Sequence, residues 1–184
     1  MSIQRITKDG ILLALLCVTG MLSIPLGENI KVSLQLLTLF IIFGISDSLI
    51  DKIIIPSLYL LIGLLLPIYA GLISGVSPTF GFVIGFVVCA VPFHFIYKYL
   101  KIHELIKYVI ACLVSLIVVY IIGTLFMMVY LNMNLPQTLL IAVVPYLGFD
   151  AAKIVICTIV IKLLPDKIKG KTPVISEEKE KLED

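Results

Sequence analysis

Long apolar runs dominate this chain, and they leave it few folds to choose from. A helix that crosses a bilayer needs roughly 20 mostly apolar residues, because the hydrocarbon core is about 30 Å thick. Runs approaching or exceeding that length cover Gly10–Leu26, Leu34–Leu49, Ile53–Ala70, Thr79–Tyr97, Leu105–Tyr130 and Pro136–Leu164. Hydrophobic residues make up 60% of the 184 and charged ones 14%, against about 45–50% and about 25% in soluble domains. A soluble fold of this length has too little interior to hide so much apolar surface. A soluble enzyme, a nucleic-acid binder and a disordered chain are therefore disfavoured, and an all-α integral membrane protein is expected. The net charge of +2 is spread over span ends with no basic patch, so no nucleic-acid partner is expected.

The last run is too long for one span, and Pro145 and Gly148 break it. Pro136–Val144 is expected as a short extracellular surface helix and Tyr146–Leu164 as the sixth transmembrane helix. On the side holding both termini lie Arg5, Lys8, Lys52, Lys98, Lys101, Lys107, Lys167, Lys169 and Lys171; the other side has Lys31. Basic residues accumulate on the cytoplasmic side, so both termini are expected there. The chain divides into a membrane domain, 1–165, and a charged, partly disordered cytoplasmic tail, 166–184. No small-residue site closes the first run, so no cleavable signal is expected.

The rare polar residues inside the spans carry the functional information. Asp150 and Lys153, at i and i+3, share one helix face. Ionisable groups within a span are costly and face a cavity or a partner. They form either a packing ion pair or the polar floor of a pocket for a small neutral polar head such as a cyclic urea or amide. The uncharged connection from Pro67 to Gly81 is rich in Gly, Pro and Ser, the composition of a loop that caps a site. Gln35, in Ser33-Leu-Gln35-Leu-Leu-Thr38, faces either this pocket or the headgroups. Gly81-x-x-x-Gly85 suggests close helix packing. Gly10-x-x-x-Ala14 offers another small face, for internal packing or for a second subunit.

Other features give no chemistry. Cys17, Cys89, Cys112 and Cys157 lie in apolar runs without metal-ligand spacing. His94 and His103 flank span ends with no carboxylate or cysteine at ligand spacing, and no nucleophile–base pair is evident. Gly170-Lys171-Thr172 imitates a phosphate loop, but Pro165 stands where that motif needs glycine. No enzyme activity, metal or cofactor is expected, and ATP-dependent work falls to another chain.

Four segments in order, Val32-Ser-Leu-Gln35, Pro67-Ile-Tyr-Ala-Gly71, Ser77-Pro-Thr-Phe-Gly81-Phe-Val-Ile-Gly85-Phe and Pro145-Tyr-Leu-Gly148-Phe-Asp150-Ala-Ala-Lys153, resemble the BioY family. BioY proteins are the biotin-specific S components of energy-coupling-factor (ECF) transporters. The resemblance runs from about Gly10 to Leu164. It implies a six-helix S-component bundle in the bacterial cell membrane that captures biotin outside with high affinity. It also implies a transmembrane coupling subunit and two ATP-binding-cassette ATPases as partners. Asp150 and Lys153 would form the ureido-ring site, with Gln35, Tyr69, Ser74 and Tyr146 as further substrate-binding candidates. The loop Tyr69–Ser77, including Gly71, Gly75 and Ser77, would gate the site, and Gly10 and Ala14 would contact the coupling subunit. The chain departs from the family at Gly10, where alanine is common, at Leu72, Ile73 and Val76 in a usually glycine-richer loop, and at Phe149, where glycine is common. An S component for another small vitamin, or a structural membrane protein that binds no ligand, are the alternative readings.

Overall fold

The computed structural model of the protein describes residues 3–25 and 31–165; the tail expected at 166–184 lies outside them. Eight helices and one short hairpin follow in order: α1 (Ile3–Met21), β1 (Ser23–Pro25), β2 (Lys31–Ser33), α2 (Gln35–Ile45), α3 (Leu49–Leu65), α4 (Phe80–Val88), α5 (Ala90–Tyr99), α6 (Glu104–Leu131), α7 (Leu135–Ala142) and α8 (Leu147–Leu163).

The apolar run expected as one helix through Leu26 leaves the helix at Met21. A residue that precedes proline avoids helical backbone, and Ile24 precedes Pro25. The segment pairs instead as an antiparallel hairpin, with Ser23 opposite Ser33. Helix α3 begins earlier than the apolar run because its polar start is satisfied. Ser48 caps it by accepting from the Ile50 N–H at 3.2 Å. Arg5 holds Asp51 at 2.5 Å, and the buried Lys52 ammonium donates to the Ser46 carbonyl at 2.6 Å. Lys8 donates to the Ile45 carbonyl at 3.0 Å. Two lysines thus meet the carbonyl end of α2, where orphan acceptors and the helix dipole favour cations. The step between α4 and α5 at Cys89 lies beside Pro92, which has no N–H to return to the Val88 carbonyl.

Among the described residues, two stretches, Phe80–Tyr99 and Glu104–Leu131, are long and apolar enough to cross a bilayer. The pair α7 and α8, bent by 49°, makes a third if counted as one span. Helix α2 has 11 residues and covers only about 16 Å at 1.5 Å per residue. It lies at the centre: Leu39, Phe40, Ile42 and Phe43 have no exposed surface. It packs against α8 and α1, while α4 and α5 lie along α6. The α4–α6 contact uses the small face anticipated at Gly81 and Gly85. A Cβ on Gly85 would sit 3.0 Å from the Val119 Cα of α6, a backbone atom that cannot swing aside. On α6, Ile117, Ile121 and Leu125 recur one helical turn apart and are more than half exposed, the stripe a lipid-facing helix needs.

Candidate functional site

The starts of α2, α4 and α8, the C-terminal half of α6 and the segment after α3 enclose a cavity of about 240 Å³. Its walls are mainly apolar: Leu36, Phe82, Val83, Phe86, Val119 and Met127, with Ala142 from α7. The polar groups are few and convergent. Ser33, Gln35, Tyr69, Thr79, Tyr120, Tyr146, Asp150 and Lys153 all line it. A largely apolar cleft with a few placed polar groups is the usual form of a small-molecule site.

Asp150 and Lys153 stand on the first turns of α8, one above the other. Both are buried, at 5% and 7% exposure, and the Lys153 ammonium lies 2.7 Å from Asp150 Oδ1. The second oxygen, Oδ2, accepts from the Tyr120 hydroxyl at 2.5 Å. A carboxylate offers about four acceptor sites, so two protein donors leave capacity toward the cavity. An acid and a base side by side, both desolvated, present an acceptor and a donor to a neutral ligand without net charge.

Gln35 is buried at 5% exposure and lines the cavity. Ser33 Oγ donates to Gln35 Oε1 at 3.2 Å. Gln35 Nε2 donates to the Tyr59 hydroxyl, which donates to the Ile68 carbonyl at 3.0 Å. The amide is thereby fixed, and the root of the following loop is tied to the cavity wall. Tyr69 is buried, and its hydroxyl donates to the Leu60 carbonyl at 2.5 Å. Its one hydroxyl proton is thus taken up within the chain.

The connection after α3 folds back on itself. The Tyr69 N–H donates to the Ile73 carbonyl at 3.1 Å, and the Gly75 N–H to the Gly63 carbonyl at 2.9 Å. Gly75 has φ +74° and Leu72 φ +59°, the left-handed region where glycine is at ease and leucine is strained. Ser74, expected as a substrate contact, is exposed and does not line the cavity; nor do Gly71, Gly75 or Ser77. From this part of the chain, Tyr69, Ala70 and Thr79 form the wall.

Gly10 and Ala14 lie elsewhere, on the face of α1 turned away from Leu12 and Leu16. Both are exposed, and a Cβ on Gly10 would meet nothing within 4 Å. Among the described residues, no group of three or more His, Cys, Asp and Glu is placed to hold a metal ion.

Sequence reasoning missed Tyr120. It sits inside the apolar run Leu105–Tyr130, thirty residues from Asp150, with no motif around it. The available signal was its position. Tyrosines in membrane helices collect at the interfaces, and one in mid-span needs a partner for its hydroxyl. Ser33 and Thr79 stand out in the sequence only as parts of polar segments.

An apolar helical bundle around a cavity with a buried ion pair at its floor defines a membrane-embedded small-molecule-binding protein. Comparison narrows the class: the chain matches the BioY family over residues 1–170 and belongs to it. Its fold is similar to the crystal structure of the S-component for biotin from an ECF-type ABC transporter, with a TM-score of 0.79 and 20% identity. The match covers 95% of this chain and 98% of that one. No curated protein matches the sequence.

Proposed function

We propose that this chain captures biotin with high affinity at the outer face of the bacterial cell membrane. It then delivers the vitamin inward as the substrate-specific subunit of an ATP-driven ECF transporter. The observation that carries this reading is the buried Asp150–Lys153 pair at the cavity floor, in a chain of the BioY family. A ureido ring is neutral and offers N–H donors beside a carbonyl acceptor. Asp150 is suited to the first and Lys153 to the second. The apolar wall from Phe82, Val83, Phe86 and Val119 suits a fused thioether ring and an aliphatic chain.

Position in the fold supports the remaining roles. The folded segment Tyr69–Ser77 covers the mouth and acts as the gate, with Tyr69 at the wall and Ser74 meeting ligand only on closure. Gln35 and Tyr146 complete the polar ring. The exposed small face of Gly10 and Ala14 docks on the coupling subunit. ATP hydrolysis belongs to two ATPase partners, since the chain has no phosphate loop.

Calorimetry with biotin, and mass spectrometry of small molecules released from the purified chain, test the assignment. Biotin is expected in both. Release of a different vitamin identifies an S component of another specificity, and no ligand at all supports a purely structural protein; either outcome sinks the proposal.

The basic-residue asymmetry supports six spans, both termini in the cytoplasm and 166–184 as a cytoplasmic tail. In a cysteine-free background, cysteines at positions 74 and 132 are expected to react with an impermeant thiol reagent on intact cells, and one at position 101 is not. Labelling at 101 alone overturns the orientation.

A further inference from the structure

Resting on the biotin reading above, we infer that Tyr120 is a positioning residue that makes the site selective for ligands with an N–H donor. Asp150 needs more than Lys153 to be held in one orientation. Its carboxylate is buried at 5% exposure, and Lys153 engages only Oδ1. A carboxylate held at one oxygen is free to rotate about its terminal torsion, which is broad and soft. The Tyr120 hydroxyl donates to the other oxygen at 2.5 Å, from a different helix. With one donor on each oxygen, supplied by α6 and α8, the carboxylate plane is fixed and its unused acceptor sites are held toward the cavity.

That arrangement has a consequence for specificity. Both groups that touch Asp150 are donors, so what the carboxyl group offers the cavity is acceptor capacity. An acceptor held in one orientation favours an N–H and disfavours a head that brings only acceptors. A buried acceptor left without a donor also penalises any ligand that lacks the N–H. Discrimination by an unpaired buried polar group is much stronger than discrimination by shape in an apolar pocket. The Tyr120 hydroxyl thereby acts on the ligand through Asp150.

The phenol ring has a separate place in the fold. It lines the cavity on one side and, on the other, an apolar groove of about 250 Å³ between α6 and α7. The ring is thus the partition between the site and that groove. Tyr120→Phe keeps the partition and deletes only the hydroxyl, which makes it the appropriate variant.

The experiment compares two ligands on the purified full-length chain: biotin, and a biotin analogue methylated on both ureido nitrogens. Calorimetry gives biotin affinity, and displacement gives the analogue's. In Tyr120→Phe, biotin affinity is expected to fall about tenfold or more, the size of one hydrogen bond to a charged group. Analogue affinity should change less than about twofold, because its N–H is already gone. The selectivity ratio therefore shrinks about tenfold. Equal weakening of both ligands means the hydroxyl only supports the cavity's shape and overturns the inference. An unchanged ratio with unchanged affinities overturns it as well. Failure of the wild-type chain to bind biotin would instead remove the reading on which the inference rests. Thermal unfolding of the ligand-free variant, compared with wild type, confirms that folded protein is being measured.

Discussion

Asp150→Asn is expected to weaken biotin binding by roughly 10- to 150-fold. A hydrogen bond to a charged group contributes about 1.5–3 kcal/mol, and about 1.4 kcal/mol is a factor of ten. The substitution keeps the shape but turns one acceptor oxygen into an NH₂ donor. Three donors then converge on that side chain: the Lys153 ammonium, the Tyr120 hydroxyl and the ligand's N–H. The loss should therefore be at least as large as in Asp150→Ala. Stability should fall too, because Lys153 is buried at 7% exposure and would be stranded. Breaking a buried ion pair from one side costs about 3–5 kcal/mol.

The single variant alone does not separate binding from folding, and a pair of changes does. Lys153→Met keeps most of the apolar stem and removes the charge. In the double variant Asp150→Asn, Lys153→Met no unpaired charge remains, so stability should recover; replacing buried ion pairs by apolar groups is often neutral or better. Binding should not recover, because neither the acceptor nor the donor has been restored. Thermal unfolding and calorimetry on the same preparation read the two quantities. A double variant that is folded and binds biotin with near-native affinity would show that the pair serves only packing.

What the sequence disclosed, and what it hid, follows from how far each signal reaches. Helix α8 is anticipated at Tyr146–Leu164 and observed at Leu147–Leu163, since Pro145 and a run of apolar residues are local cues. The Asp150–Lys153 contact is equally local, one helical turn. Helix α3 shows where locality fails. Hydropathy excludes Asp51 and Lys52 from the run, yet both are helical and buried because Arg5 and the Ser46 carbonyl receive them. Neither partner is identifiable without the packing of α1 and α2. The hairpin of Ser23–Pro25 with Lys31–Ser33 is too short to leave a period-two pattern. Tyr120 meets Asp150 only because α6 and α8 cross, and apolar wall residues such as Val83 and Val119 are compositionally the same as lipid-facing ones. The Asp150–Lys153 pair was thus legible, while the Tyr120 hydroxyl and the apolar walls of the cavity were not.

Leucine at both position 10 and position 14 is expected to reduce biotin uptake to background while leaving biotin binding and thermal stability unchanged. Successive residues on a helix are about 100° apart, so Gly10 and Ala14 lie about 200° from Leu12 and Leu16. That second pair is buried, and it is the face by which α1 joins the bundle. The first pair is exposed, with open space beyond Gly10. Added side chains there touch nothing inside the chain, so the cavity should not feel them. Between helices in lipid there is little hydrophobic driving force, and association depends on close backbone approach and van der Waals contact, which small residues permit. Two leucines would hold a partner helix several ångströms away and forfeit those contacts. Gly10→Ala, by contrast, should keep transport, because a methyl group still allows close approach. Uptake in cells, co-purification of the coupling subunit and calorimetry on the isolated chain are read together. Retained uptake in the double leucine variant would remove this face from the docking surface. Loss of binding along with uptake would mean that α1 uses the face inside the bundle after all.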